Sequence, residues 1–113
     1  MEMATNNILS VLEGYTLDNA DDISSRLAHD FRQRRIEKNL TREQVAEQSG
    51  VAVSNIVRFE QKGLISLGNF ISIVMALGYA AEVKNLLSQP KYSTMEELMQ
   101  IRRNAGKKKA HRL

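Results

Sequence analysis

A chain of 113 residues, 42% hydrophobic and 26% charged, carries enough apolar material for one small domain and not for two full ones. It has no cysteine, which excludes a disulfide framework and a thiolate metal site; no apolar run has the length of a membrane span and no basic leader opens the chain, so a cytoplasmic setting without a membrane partner is expected. The net charge of +3 is unevenly spread, with −5 over residues 1–22, +3 over 23–90 and +5 over 91–113, a distribution that favours a polyanionic partner or, equally by composition, a merely solvated basic tail.

Aromatic residues make up 5% of the chain, so the core is expected to be aliphatic. Ile8, Leu9, Leu12 and Tyr15 stand at near-helical spacing and Gly14 is a stop signal, which predicts a short N-terminal helix. A polar connector, "TLDNADD" (16–22), follows, and Asp21 or Asp22 can cap the next element. Residues 23–38 are the first strong helix. Ile23, Leu27 and Phe31 recur every fourth position and form one apolar stripe, on which Arg35 is the next member. A charge on a buried face needs a partner.

"KNL" (38–40) ends that helix, and Thr41 with Gln44 three residues later is a capping box. The helix it opens is short and closes at Gly50. After "GVA" a third helix is expected over about 53–61, with Ile56, Phe59 and Glu60 facing inward, and Gly63 ends it. Ser66 caps a fourth helix, 67–77, apolar nearly all round and closed by Gly78. A fifth is expected at about 81–88, and Pro90 marks the domain edge. Ser93 with Glu96 and Thr94 with Glu97 are overlapping capping candidates for a last helix, 94–103, whose Met95, Leu98, Met99 and Ile101 form an apolar stripe. By pattern this helix folds back on its own core more readily than it serves a partner. The basic tail beyond it has no periodicity.

Two short helices around a tight turn, the second with a free outer face, meet the requirements of a helix-turn-helix. Ala46 stands where the helices cross, Gly50 is in the turn and Ile56 holds the second helix down. Val53, Ser54, Asn55 and Arg58 are left facing outward, small or polar groups that fit a major groove about 12 Å wide. Nothing in the sequence provides a catalytic set. His29 and His111 are isolated, and His29 beside Asp30 reads as a surface pair. Glu43 and Glu47, four residues apart, read as a solvated face. There is no glycine-rich phosphate loop, so no enzyme activity, cofactor or metal is expected.

Residues 27–87, about half the chain, resemble the phage repressor/Cro-type helix-turn-helix domain, the XRE family, through "DFRQRRIEKNLTREQVAEQSGV" (30–51), "SNIVRFEQKG" (54–63) and "FISIVMALGY" (70–79). The resemblance implies an all-α fold: a five-helix repressor-like DNA-binding domain over 23–89, an acidic N-terminal extension 1–22, and a C-terminal helix with basic tail over 90–113. It implies a structural ion pair between Arg35 and Glu60. It places Thr41 and Arg42 on the DNA backbone, Val53, Ser54 and Arg58 on base edges, Asn55 on a phosphate or base, and Lys62, Ser66 and Asn69 on the adjacent phosphates. Ala52 departs from the family pattern, in which a hydroxyl or amide cap is common there. The implied function is a sequence-specific regulator of transcription that binds double-stranded DNA, a repressor acting as a homodimer and reading the major groove with helix 53–61. The alternative is an antitoxin resembling HipB-like proteins, which binds a toxin protein partner and autoregulates its operon; the chain outside the DNA-binding unit favours it.

Overall fold

The computed structural model describes residues 18–107, which form six helices and, among these residues, no strand. They are α1 (Ala20–Glu37), α2 (Arg42–Ser49), α3 (Val53–Lys62), α4 (Leu67–Ala76), α5 (Ala80–Lys84) and α6 (Met95–Asn104). None of them is long and apolar enough to cross a membrane. The helix expected around Ile8–Tyr15 and the tail beyond Lys107 lie outside the described residues.

Local chemistry accounts for most boundaries. α1 begins earlier than its apolar pattern, because Asn19 rather than Asp21 or Asp22 is the cap: its Oδ1 accepts from the Asp22 N–H at 2.8 Å, and Asp22 is the reciprocal member of the capping box. At the other end Asn39 adopts the left-handed conformation at φ 58°. The Asn39 N–H donates to Ile36 O at 2.8 Å and the Leu40 N–H to Arg35 O at 3.2 Å, a Schellman closure built on asparagine. Thr41 and Gln44 form the capping box of α2, with bonds of 3.0 and 2.8 Å. Ser66 caps α4 through the Asn69 N–H at 3.2 Å. Ala52 gives α3 no side-chain cap. Before α6 the Thr94 hydroxyl accepts from the Glu97 N–H, while the Glu97 carboxylate accepts from the Ser93 N–H at 2.7 Å; the Ser93–Glu96 alternative is not used.

α5 is shorter than its pattern, because the chain after Lys84 turns through the bonds from Leu86 N–H to Val83 O and from Ser88 N–H to Asn85 O. The chain divides into two compact units between Ala80 and Ala81.

In the first unit α1 packs on α3, and α2 packs on both α3 and α4. Val45, Ile56, Phe59 and Ile73 are its largest fully buried side chains, each contributing about 1.5–3 kcal/mol by burial. Eight residues are too few for a helix to persist alone, so α2 depends on Val45, its two caps and its neighbours. Phe59 is central, edge-on to Phe31 and Phe70 with ring centroids 5.7 and 5.6 Å apart. The buried face of α1 differs from the expected stripe. Ala28, Phe31 and Arg35 are buried, whereas Ile23 and Leu27 are exposed. The face is turned by one residue because the end of α3 comes down on the α1 backbone. A Cβ on Gly63 would lie 3.3 Å from Ser24 C and Ser25 N, and only small side chains leave room for that approach.

Gly63 therefore carries two constraints and Gly50 one. Both have positive φ, +69° and +75°, but a Cβ at Gly50 meets nothing within 4 Å. Gly50→Ala should cost the left-handed penalty, about 1–2 kcal/mol. Gly63→Ala should melt lower than Gly50→Ala because the α1–α3 approach must also open; equal melting temperatures for the two variants would refute the close approach.

Candidate nucleic-acid interface

The positions of the two short helices are tied to one carboxylate. Glu60, in the last turns of α3, has a side chain only 1% exposed. Arg35 of α1, itself 9% exposed, meets it through two parallel bonds, Nε to Oε2 at 2.7 Å and Nη2 to Oε1 at 2.9 Å. This forked geometry is the strong form of such a pair. Arg35 Nη1 donates to Leu40 O at 2.9 Å, so the same guanidinium also holds the loop that leads into α2. Arg42 Nε of α2 donates to Oε1 at 3.0 Å, and Arg32 Nε lies 3.8 Å from that oxygen. Among the described residues no buried side-chain nitrogen or oxygen lacks a partner.

Three guanidiniums around one carboxylate leave a formal +2 at this corner. Burial by itself pushes the Glu60 carboxyl up. The hydrogen bonds from Arg35 and Arg42, with their positive charge, outweigh burial and hold its pKa below the ordinary 4.5. Arg42 is 32% exposed, so it reaches solvent while anchored to Glu60. Arg32 is a member of this cluster that the sequence reading missed. Its spacing of three residues from Arg35 puts it on the same side of α1, which was the available signal.

With Ile56 and Phe59 buried and Glu60 tied down, α3 turns its opposite side outward. Val53, Ser54, Asn55, Arg58 and Lys62 are exposed there. A groove of about 350 Å³ next to it is lined by Asn55, Arg58, Leu64, Ile65, Ser66 and Asn69. Four of the residues singled out from the sequence thus share one depression, while Arg42 stands with Glu60. The Thr41 side chain and N–H are both engaged in the capping box. The Ser66 hydroxyl is occupied by the Asn69 N–H. Leu64 and Ile65 gave no signal in the sequence, because a loop has no periodicity to place its side chains. Elsewhere His29 Nδ1 lies 3.4 Å from Asp30 Oδ1 on the surface, and among the described residues no three His, Cys, Asp or Glu side chains come together as a metal cluster.

Residues 31–83 match the helix-turn-helix family, of the XRE/Cro type. The match includes Phe31, Arg35, all of α2–α4, and Glu60. Members of this family are DNA-binding regulators of transcription. No curated protein matches the chain.

Removing the carboxylate strands Arg35 as an unpaired buried charge, so Glu60→Ala should destabilise the domain by about 3–5 kcal/mol; a melting curve that superimposes on wild type would show that the pair contributes nothing. Because the folded-state pKa of Glu60 is depressed, its contribution is fully present above the unfolded carboxyl value and is lost as pH falls through the folded one. The stability gap between wild type and Glu60→Gln should therefore be widest near neutrality and narrow below the ordinary value of 4.5, as read from thermal melts between neutral and strongly acidic pH. A gap that stays constant over that range would contradict the linkage.

Proposed function

We propose that the chain, which carries an XRE/Cro-type helix-turn-helix domain over residues 31–83, is a sequence-specific DNA-binding repressor that acts as a homodimer and reads the major groove with α3. The observation that carries this reading is the two-sidedness of α3: one side is locked by Ile56, Phe59 and Glu60, and the other exposes Val53, Ser54, Asn55 and Arg58. In the proposed complex Arg58 makes a forked contact with a guanine edge, Ser54 bonds a neighbouring base, and Val53 packs on a thymine methyl. Asn55, Lys62, Ser66 and Asn69 hold the phosphates flanking the groove they line or border. Thr41 and Arg42 hold the backbone on the other side, Arg42 with its guanidinium already oriented by Glu60. A domain of this size reads only a few base pairs, and pairing two copies extends the site to two half-sites about one helical turn apart.

Selection of bound sites from a random duplex pool, with the purified protein, tests the reading; recovery of no common site would refute it. Arg58→Ala should then relax preference at one base pair, a loss of about 1–3 kcal/mol on the selected site. Binding to that site and to its single-base variants measures the effect. An equal loss on every sequence would place Arg58 on a phosphate instead.

A further inference from the structure

The arginines around Glu60 do not share its carboxylate equally. Each oxygen of an ionised carboxylate has about two lone-pair sites. Both sites of Oε1 are filled, by Arg35 Nη2 at 2.9 Å and by Arg42 Nε at 3.0 Å. Arg35 Nε donates to Oε2, and Arg35 Nη1 is spent on Leu40 O. Arg35 is therefore bonded through all three of its nitrogens, and it is buried. Arg32 is held differently. Its Nε lies 3.8 Å from Oε1, beyond hydrogen-bond reach. Among the described residues it donates no hydrogen bond, and its side chain is 49% exposed. Arg42 gives Nε to Glu60 and keeps both Nη groups, on a part-exposed side chain.

We infer that Arg32 and Arg42 clamp one DNA phosphate between them, so that α1 joins α2 and α3 in the interface. The inference rests on the DNA-binding reading and adds to it a residue on a helix that reading leaves off the duplex. Glu60 carries one negative charge against three positive ones, so the arginines repel one another until a further anion arrives. That anion has to come from outside the cluster. Among the described residues Glu60 is the one carboxylate in ion-pair range of Arg32 and of Arg42, and its Oε1 has no site left. Two guanidiniums drawn to the same oxygen lie close enough for a single phosphate to reach both. The two non-bridging oxygens of a phosphodiester match them, one to each arginine, as charge-assisted bonds. Arg42 also opens α2, whose N-terminal dipole adds positive potential at the same point. The Thr41 N–H there is taken by Gln44, which leaves the contact to the arginines. Arg35 stays on Glu60 and serves as the fixed base of the clamp.

The test replaces each backbone phosphate of the selected DNA site in turn by an uncharged methylphosphonate and measures binding of the full-length chain. Replacing the clamped phosphate should weaken wild-type binding about tenfold. Arg32→Ala and Arg42→Ala should each lose most of the sensitivity at that same position and keep it at the others. On unmodified DNA both variants should bind every sequence more weakly by a similar factor. The double variant should lower the log–log salt slope by about 0.9 per bound copy, the value for one phosphate rather than two. Arg32→Ala should melt no lower than wild type, since the fold gives Arg32 no hydrogen bond. Full wild-type sensitivity at every position in Arg32→Ala, whatever its melting temperature, overturns the clamp and leaves the DNA-binding reading standing. Loss of sensitivity at different positions in the two variants gives them separate phosphates and also overturns it. A wild-type chain that binds no DNA overturns both the clamp and the reading beneath it.

Discussion

The Glu60 carboxylate lies on α3 and is held by Arg35 from α1 and Arg42 from α2, and Arg35 also grips Leu40 O between those two helices. One buried acid therefore sets the relative placement of all three. Apolar packing alone would tolerate some rotation of α3 about its axis, because Ile56 and Phe59 can slide over aliphatic neighbours at modest cost. A forked guanidinium–carboxylate contact does not tolerate it, since its two bonds fix both distance and plane. A buried ion pair is weak as a source of net stability, because desolvation offsets most of the attraction. What the arrangement supplies is register, which decides the set of side chains that α3 turns outward.

The same cluster links stability to the proposed interface. Its excess positive charge lies at the start of α2, where the Arg42 side chain is part-exposed. On the proposed reading a DNA phosphate there would supply the anion the cluster lacks, and the arginine would arrive already oriented. Less side-chain freedom is then lost on binding than by a free surface arginine. Glu60 acts in this scheme as a positioning residue, since its buried carboxylate touches no DNA.

The two ends of α3 are built differently. Its last turn closes at Gly63, pressed on the backbone of Ser24 and Ser25. Its first turn follows Ala52, which offers no capping side chain. The well-anchored end carries Glu60 and the less anchored end carries Val53 and Ser54. Local opening is easiest where hydrogen bonds are fewest, so the end that carries Val53 and Ser54 is the more adaptable one.

The sequence by itself determined the helices and most of their ends. The Thr41–Gln44 box, the turn glycines Gly50 and Gly63 and the cap at Ser66 act over three or four residues, and a single sequence contains all the partners. It also marked Arg35 and Glu60 as charges on inward faces, because periodicity reports which side is buried even when the residue there is polar. Only the tertiary structure decided the rest. Two stripes one residue apart were available on α1; the longer apolar one, with Ile23 and Leu27, lost to Ala28 and the Ser24 backbone. The winning side had to be thin enough for Gly63 to approach, a demand that comes from a residue almost forty positions away. The attachment of Arg42 and Arg32 to Glu60, and the groove shared by Asn55, Arg58, Ser66 and Asn69, were equally hidden. Each joins residues whose spacing carries no signal until the helices are packed, since hydrogen bonds and grooves depend on distance in space and periodicity records only direction around one helix.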